Sequence, residues 1–286
     1  MSKPETGMIV WFDATTSGLQ ILSIASNDKT AMELSNVIPT YDAAGNCRRR
    51  DAYLEVTAEM YTYVDPRDTV LDPDPVKRRK QVKHPIMTTF YGSKQQPINL
   101  FGEDTQDLKA FYLSLRKLLK GPLELMDLMQ SSWQPGKAYH EWTMPITGAK
   151  VKIAVIDDLI GNVKMTIDGK EVKVPFHAKI KTSMDKGLSL AANITHSVDA
   201  LIKDLVVMRF KGENRPIATI HDAFGVHPND VSLLMNAYQQ ALIEIYNKKV
   251  VQDIIRQITG DPMRRVPQIS PGVFTLDLMR SKYALC

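Results

Sequence analysis

An α+β fold is predicted by three features of the chain. A short apolar run at 8–12 (MIVWF) closes on Asp13, and a second strand-like run, 216–222, ends on Asp222. Helix-spaced apolar residues dominate the stretches between them. Between 150 and 175 the spacing changes to alternation, the pattern of paired strands. With 286 residues, 44% apolar and 24% charged, the chain can bury a sizeable core.

The elements follow in order. After the strand at 8–12, residues 17–28 form a helix with Leu19, Leu22, Ile24 and Ala25 facing inward. Apolar spacing gives helices at 51–63 and 106–119. The run DPDP at 72–75 stops one element and starts the next, because proline is tolerated in a first helical turn. A helix at 76–91 follows, interrupted or kinked near Pro85. Strands at 151–156, 163–167 and 171–175, with a two-residue turn at Asp168 and Gly169, make a small antiparallel insertion. Residues 186–206 return to helix and 216–222 to strand. A single long helix covers 230–255, capped by Pro228, Asn229 and Asp230. The tail, 262–286, is irregular with a short helical stretch.

Composition narrows the setting. The formal net charge is +4, and basic residues cluster at 48–50, 77–80 and 116–120, all in the first half. Cys47 and Cys286 are the only cysteines and have neither ligand spacing nor a disulfide framework, which fits a reducing cytoplasm. No apolar run reaches roughly eighteen residues, and the N-terminus lacks a signal-peptide core, so a membrane-spanning or secreted chain is not expected. Internal repeats and low-complexity tracts are absent.

Three stretches carry the chemistry. Asp13 and Asp222 each end an apolar strand, which sets two carboxylates side by side at one sheet edge. Two-metal nucleotidyl transfer needs two converging carboxylates, with ions roughly 3.5–4 Å apart. Magnesium prefers oxygen ligands and shares substrate phosphates, so two protein carboxylates suffice. An Asp after a strand is also an ordinary turn or cap residue. Arg79 and Lys83 lie four apart on one helix face, suited to a triphosphate or to plain solvation. Tyr91, eight residues after Lys83, can stack under a base and sugar or serve as a core aromatic before a C-cap Gly92. His221 precedes Asp222 and is expected on the opposite strand face, supporting the site. His196 sits on the helix preceding that strand.

These stretches resemble motifs A, B and C of the single-subunit, phage-type DNA-dependent RNA polymerases, a family that includes mitochondrial enzymes. DATTSGLQ at 13–20 matches motif A; Arg79, Lys83, Tyr91 and Gly92 match motif B; HDAFG at 221–225 matches motif C, with Ala223 in place of the usual Ser. The segment AANITHSVD at 191–199 is similar to the family's stretch before motif C. The resemblance covers nearly the whole chain. It implies the polymerase right-hand fold, a palm sheet with large helical fingers. By the same token 1–50 is palm with motif A, 51–145 fingers, 146–185 a hairpin insertion placed like the specificity loop, and 186–286 palm with motif C and a C-terminal foot.

Roles follow from the resemblance as expectations. Asp13 and Asp222 hold two magnesium ions, and Arg79 and Lys83 contact the triphosphate. Tyr91 and Tyr53 line the nucleotide site, with Gly92 beside them. His196 contacts the primer–template end, and His221 and Gln20 support the site. Gly18 replaces the bulky Glu that DNA polymerases of this class place against the ribose hydroxyl, and Met87 replaces their Phe; both choices imply ribonucleotides. The first Met lies only twelve residues before Asp13, so the family's thumb and N-terminal domain are expected to lie outside this chain, either trimmed from it or carried by a second polypeptide. A second subunit carrying them is the expected partner, as in split bacteriophage polymerases that transcribe phage genes. DNA template, RNA product and NTPs complete the partners, with a single-stranded DNA-binding helper for melting.

Overall fold

The computed structural model describes residues 7–154, 156–167, 169–181, 188–270, 278 and 280–286. Helices and antiparallel strands are mixed, as the periodicities predict.

The first half is mostly helical. β1 (Val10–Asp13) leads into α1 (Ser17–Ala25), whose residues Leu19 to Ile24 are all buried. A helix apolar on all sides belongs inside a core, and α1 packs on elements from both halves of the chain. α2 (Lys29–Leu34) is capped by Asp28, which accepts from the Ala31 N–H at 3.1 Å. A two-residue pair, β2 (Thr40–Tyr41) and β3 (Cys47–Arg48), follows. α3 (Ala52–Met60) starts on Asp51, and α4 (Pro75–Phe90) on Asp74, each carboxylate accepting first-turn N–H groups. α4 runs on through Pro85 without the predicted interruption. Proline removes the bond to the Gln81 carbonyl, but Pro85 is buried and its neighbours Val82, Ile86 and Phe90 pack in the core. α5 (Gln95–Phe101), α6 (Gln106–Leu118) and α7 (Lys120–Ser131) complete this half.

The predicted insertion is larger than its alternation indicated. β4 (Tyr139–Thr143), not foreseen, pairs with β5 (Lys150–Ala154). β6 (Ile156–Ile167) and β7 (Lys170–Lys181) then form a ribbon of twelve residues a side. Gly169 takes φ 73°, as a tight hairpin turn requires; Asp168 lies outside the described residues.

In the last third, α8 (Leu188–Gly212) extends past the predicted end at 206, and positions 186 and 187 lie outside the described residues. β8 (Ala218–Ile220) and β9 (Ala223–Val226) form a hairpin in which Ile220 faces Ala223. β1 pairs with β9, giving a three-stranded antiparallel sheet in the order β1, β9, β8. The predicted helix over 230–255 is two helices, α9 (Val231–Lys248) and α10 (Val250–Thr259), because Lys249 adopts a left-handed φ of 50°. The break turns the apolar stripe of α10 inward, burying Val250, Val251, Ile254, Ile255 and Ile258. It also lets Gln257 exchange hydrogen bonds of 2.8 and 2.9 Å with the backbone of Thr143. The predicted short helix in the tail lies largely outside the described residues. No described helix is long and apolar enough to cross a membrane.

Candidate active site

The three-stranded sheet decides where the carboxylates meet. Asp13 is opposite Ala223 on the neighbouring strand, so Asp222 stands one position beyond the pairing, in the two-residue turn of the β8–β9 hairpin. His221 is the other turn residue and takes φ 54°. It is therefore exposed in a turn, not on the opposite face of a strand as predicted; a strand ending two residues earlier has no face at that position.

Asp13 and Asp222 form one wall of a cavity of about 230 Å³. The rest is built by residues 14–19 and by Tyr53, Lys83, Ile86, Met87, Phe90 and Tyr91. Each comes from a defined element: the first turn of α1, the start of α3, and one face of α4. Lys83, Ile86, Met87, Phe90 and Tyr91 recur at helical spacing, which is why they share a side. No side chain caps the α1 N-terminus, leaving first-turn N–H groups for an anion. Thr16 adds a buried hydroxyl oxygen with no hydrogen-bond partner.

Electrostatics mark this as a strained anionic corner. Burial, and then the neighbouring Asp222, raise the Asp13 carboxyl above its ordinary range, against the Ala14 N–H and Lys83, which lower it. Asp199, on α8, is pushed up to about 6 by burial first and then by Asp222, with Lys203 opposing. Sequence reasoning missed Asp199 as a site residue, although it follows His196 by three positions on the same helix. Among the described residues, no cluster of three or more His, Cys, Asp or Glu is arranged to hold a metal. Two all-oxygen donors that repel each other fit a hard divalent cation completed by waters and substrate phosphates.

The tyrosines keep their protons. Burial, opposed by Arg79, pushes Tyr53 up to about 12, and burial reinforced by Asp199 and Asp222 raises Tyr91. Tyr91 stacks on His196 with ring centroids 5.0 Å apart and planes 25° apart. Gly18 is what makes room for it: a Cβ there would lie 3.0 Å from the Tyr91 hydroxyl.

Other predicted residues stand behind the cavity. Arg79 donates to Asp51 at 2.5 Å and lies 5.2 Å over the Tyr53 ring, so it braces that ring while its side chain stays partly exposed. Gly92 takes φ 90° just after α4, a C-cap role. Gln20 is fully buried. It donates to the carbonyls of Ala284 at 2.9 Å and Ser35 at 3.1 Å, and accepts from the Tyr238 hydroxyl at 2.6 Å. Through it the C-terminal tail reaches the site: Asp13 and Cys286 exchange backbone hydrogen bonds of 3.0 Å, and the Thr15 N–H donates to Ala284 at 3.2 Å.

Comparison with known proteins places the chain near one family. The sequence profile of the family described as DNA-dependent RNA polymerase matches residues 151–268. That stretch holds Asp222, His221, His196 and Asp199, whereas Asp13, Lys83 and Tyr91 lie outside it. A probable DNA-directed RNA polymerase of Neurospora crassa is 24% identical over 284 residues, covering 83% of this chain and 31% of that protein. The chain thus spans about a third of the length of that relative. Both similarities are to DNA-directed RNA polymerases.

Proposed function

We propose that this chain is the catalytic subunit of a DNA-dependent RNA polymerase, joining NTPs to a growing RNA on a DNA template. The observation that carries the reading is the convergence of Asp13 and Asp222 on a cavity that Lys83 and Tyr91 also line. A bound pair of magnesium ions would activate the RNA 3′ hydroxyl and offset charge on the α-phosphate and leaving pyrophosphate. The chain's own residues do the rest. Asp13 and Asp222 supply the anionic oxygens. Lys83 and the α1 N-terminus neutralise the triphosphate. Tyr91, held by His196 and kept neutral, lines the sugar and base. Gly18 brings no side chain into the cavity to wall off a ribose hydroxyl, which favours ribonucleotides over deoxyribonucleotides.

A second polypeptide belongs to this reading. One face of the β6–β7 ribbon carries Val163, Met165, Ile167, Val172, Val174 and Phe176, all at least 36% exposed. Alternate residues, including Lys164 and Lys173, put charge on the other face. A protein surface to cover the apolar face and nucleic acid to meet the charged one account for both. Transcription of phage genes, with a single-stranded DNA-binding helper, is the setting that the motif resemblance implies.

The test is incorporation of labelled NTPs and dNTPs on a single-stranded DNA template with magnesium, with and without co-purifying subunits. NTP incorporation well above dNTP incorporation is expected. Dominant dNTP use would refute the sugar assignment, and none of either would refute the enzyme.

A further inference from the structure

The outer face of the sheet raises a question that the cavity does not answer. Residues two apart on a strand share a face, so Trp11 projects on the same side as Asp13. β1 alternates accordingly: Val10 and Phe12 are half-buried, while Trp11 and Asp13 are exposed. Across the sheet, Trp11 pairs with Gly225 and Asp13 with Ala223. The next strand continues the rows with Ala218 and Ile220. The row beside the carboxylates is thus floored by small residues.

Trp11 is the exception to that flatness. A Cβ on Gly225 would lie 2.9 Å from the indole Cε2 and Cζ2, so only glycine lets the six-membered ring rest on β9. Yet Trp11 remains 46% exposed, beside Ile9 at 56%. An exposed indole laid flat on a strand does little for the core. Along β1 its Cα stands roughly 7 Å from that of Asp13.

The proposed chemistry says what passes over this face. The incoming nucleotide occupies the cavity on the α1 and α4 side of Asp13. The attacking 3′ hydroxyl must reach the same phosphate from elsewhere, and the sheet side is where this face continues from Asp13. We propose that Trp11 is a positioning residue for the product strand, its indole packing against the sugar and base of the nucleotide just behind the RNA 3′ end. This rests on the polymerase reading above. The acceptor strand, unlike a protein partner, has to lie beside Asp13 for the reaction to occur, which favours nucleic acid as the occupant of this face.

The experiment measures the Kd of an RNA-primed DNA template and the KM of the first NTP for wild type, Trp11→Ala and Trp11→Phe, each purified with any subunit that accompanies it. Trp11→Ala is expected to raise the hybrid's Kd about tenfold, equal to about 1.4 kcal/mol. Trp11→Phe should restore most of it, and the loss should fall on the hybrid's Kd and not on the NTP's KM. A change in tryptophan emission on hybrid binding should vanish in Trp11→Phe. Hybrid binding by Trp11→Ala equal to wild type overturns this inference alone. So does a Trp11→Ala defect in subunit association, measured by sedimentation without nucleic acid, with hybrid binding unchanged, since the face would then be a protein interface. A wild-type protein that neither binds hybrid nor adds a nucleotide overturns the polymerase reading and this inference with it.

Discussion

Gly18 and Tyr91 constrain each other. Because a Cβ on residue 18 would sit 3.0 Å from the Tyr91 hydroxyl, Gly18→Ala should shift the ring by a fraction of an ångström against His196. The expected result is a several-fold higher KM for NTP with the fold unchanged by circular dichroism; an unaltered KM would show that Tyr91 does not line the nucleotide. Asp199 gives a pH prediction. Its folded value of about 6 exceeds the ordinary 3.8, so its share of stability is complete below 3.8 and is lost as pH rises through about 6. Asp199→Asn should therefore raise the melting temperature of the metal-free chain at neutral pH, by about 2–4 °C per kcal/mol regained. It should also flatten the pH dependence between those two values. A melting temperature that stays the same or falls would contradict the burial and repulsion described for this carboxyl. At this scale the sequence was most legible where chemistry dictates residue type: Asp13, Asp222, Lys83, Tyr91 and Gly18 meet at one cavity. The partner of Arg79 was not legible, because Asp51 is 28 positions away and doubles as a helix cap.

Elements were legible where period and punctuation agree. α4 begins at the predicted proline and α6 spans nearly the predicted residues. The break at Lys249 was invisible because the residue itself carries no turn signal; packing of α10 against β4 and α8 imposes the left-handed conformation. β4 was missed for a similar reason: five residues acquire strand identity from their pairing with β5. The buried link between α9 and α1 allows a stability test. Tyr238 donates to Gln20, and both are buried. Tyr238→Phe leaves the Gln20 carbonyl oxygen without that donor, which should cost about 1–3 kcal/mol in chemical denaturation. A cost near zero would mean that this network does not hold the tail and motif A together.

For the whole molecule, the sheet organises function. It brings residues 13 and 222 together, over two hundred positions apart, and the last residues of the chain add to the outer edge of β1. The motif resemblance implied a C-terminal foot, but its pairing with β1 was not foreseen, since nothing in the sequence ALC specifies a strand edge. Asp13 and Asp222 are proposed to act together in nucleotidyl transfer. The most direct measurement is single-nucleotide extension of an RNA primer on a DNA template with magnesium, comparing wild type with Asp222→Asn, with thermal melting as a check of fold. Loss of extension by at least about a thousandfold, or about 4 kcal/mol of barrier, with melting and subunit association preserved, is the predicted result. Extension by Asp222→Asn at the wild-type rate would contradict the account.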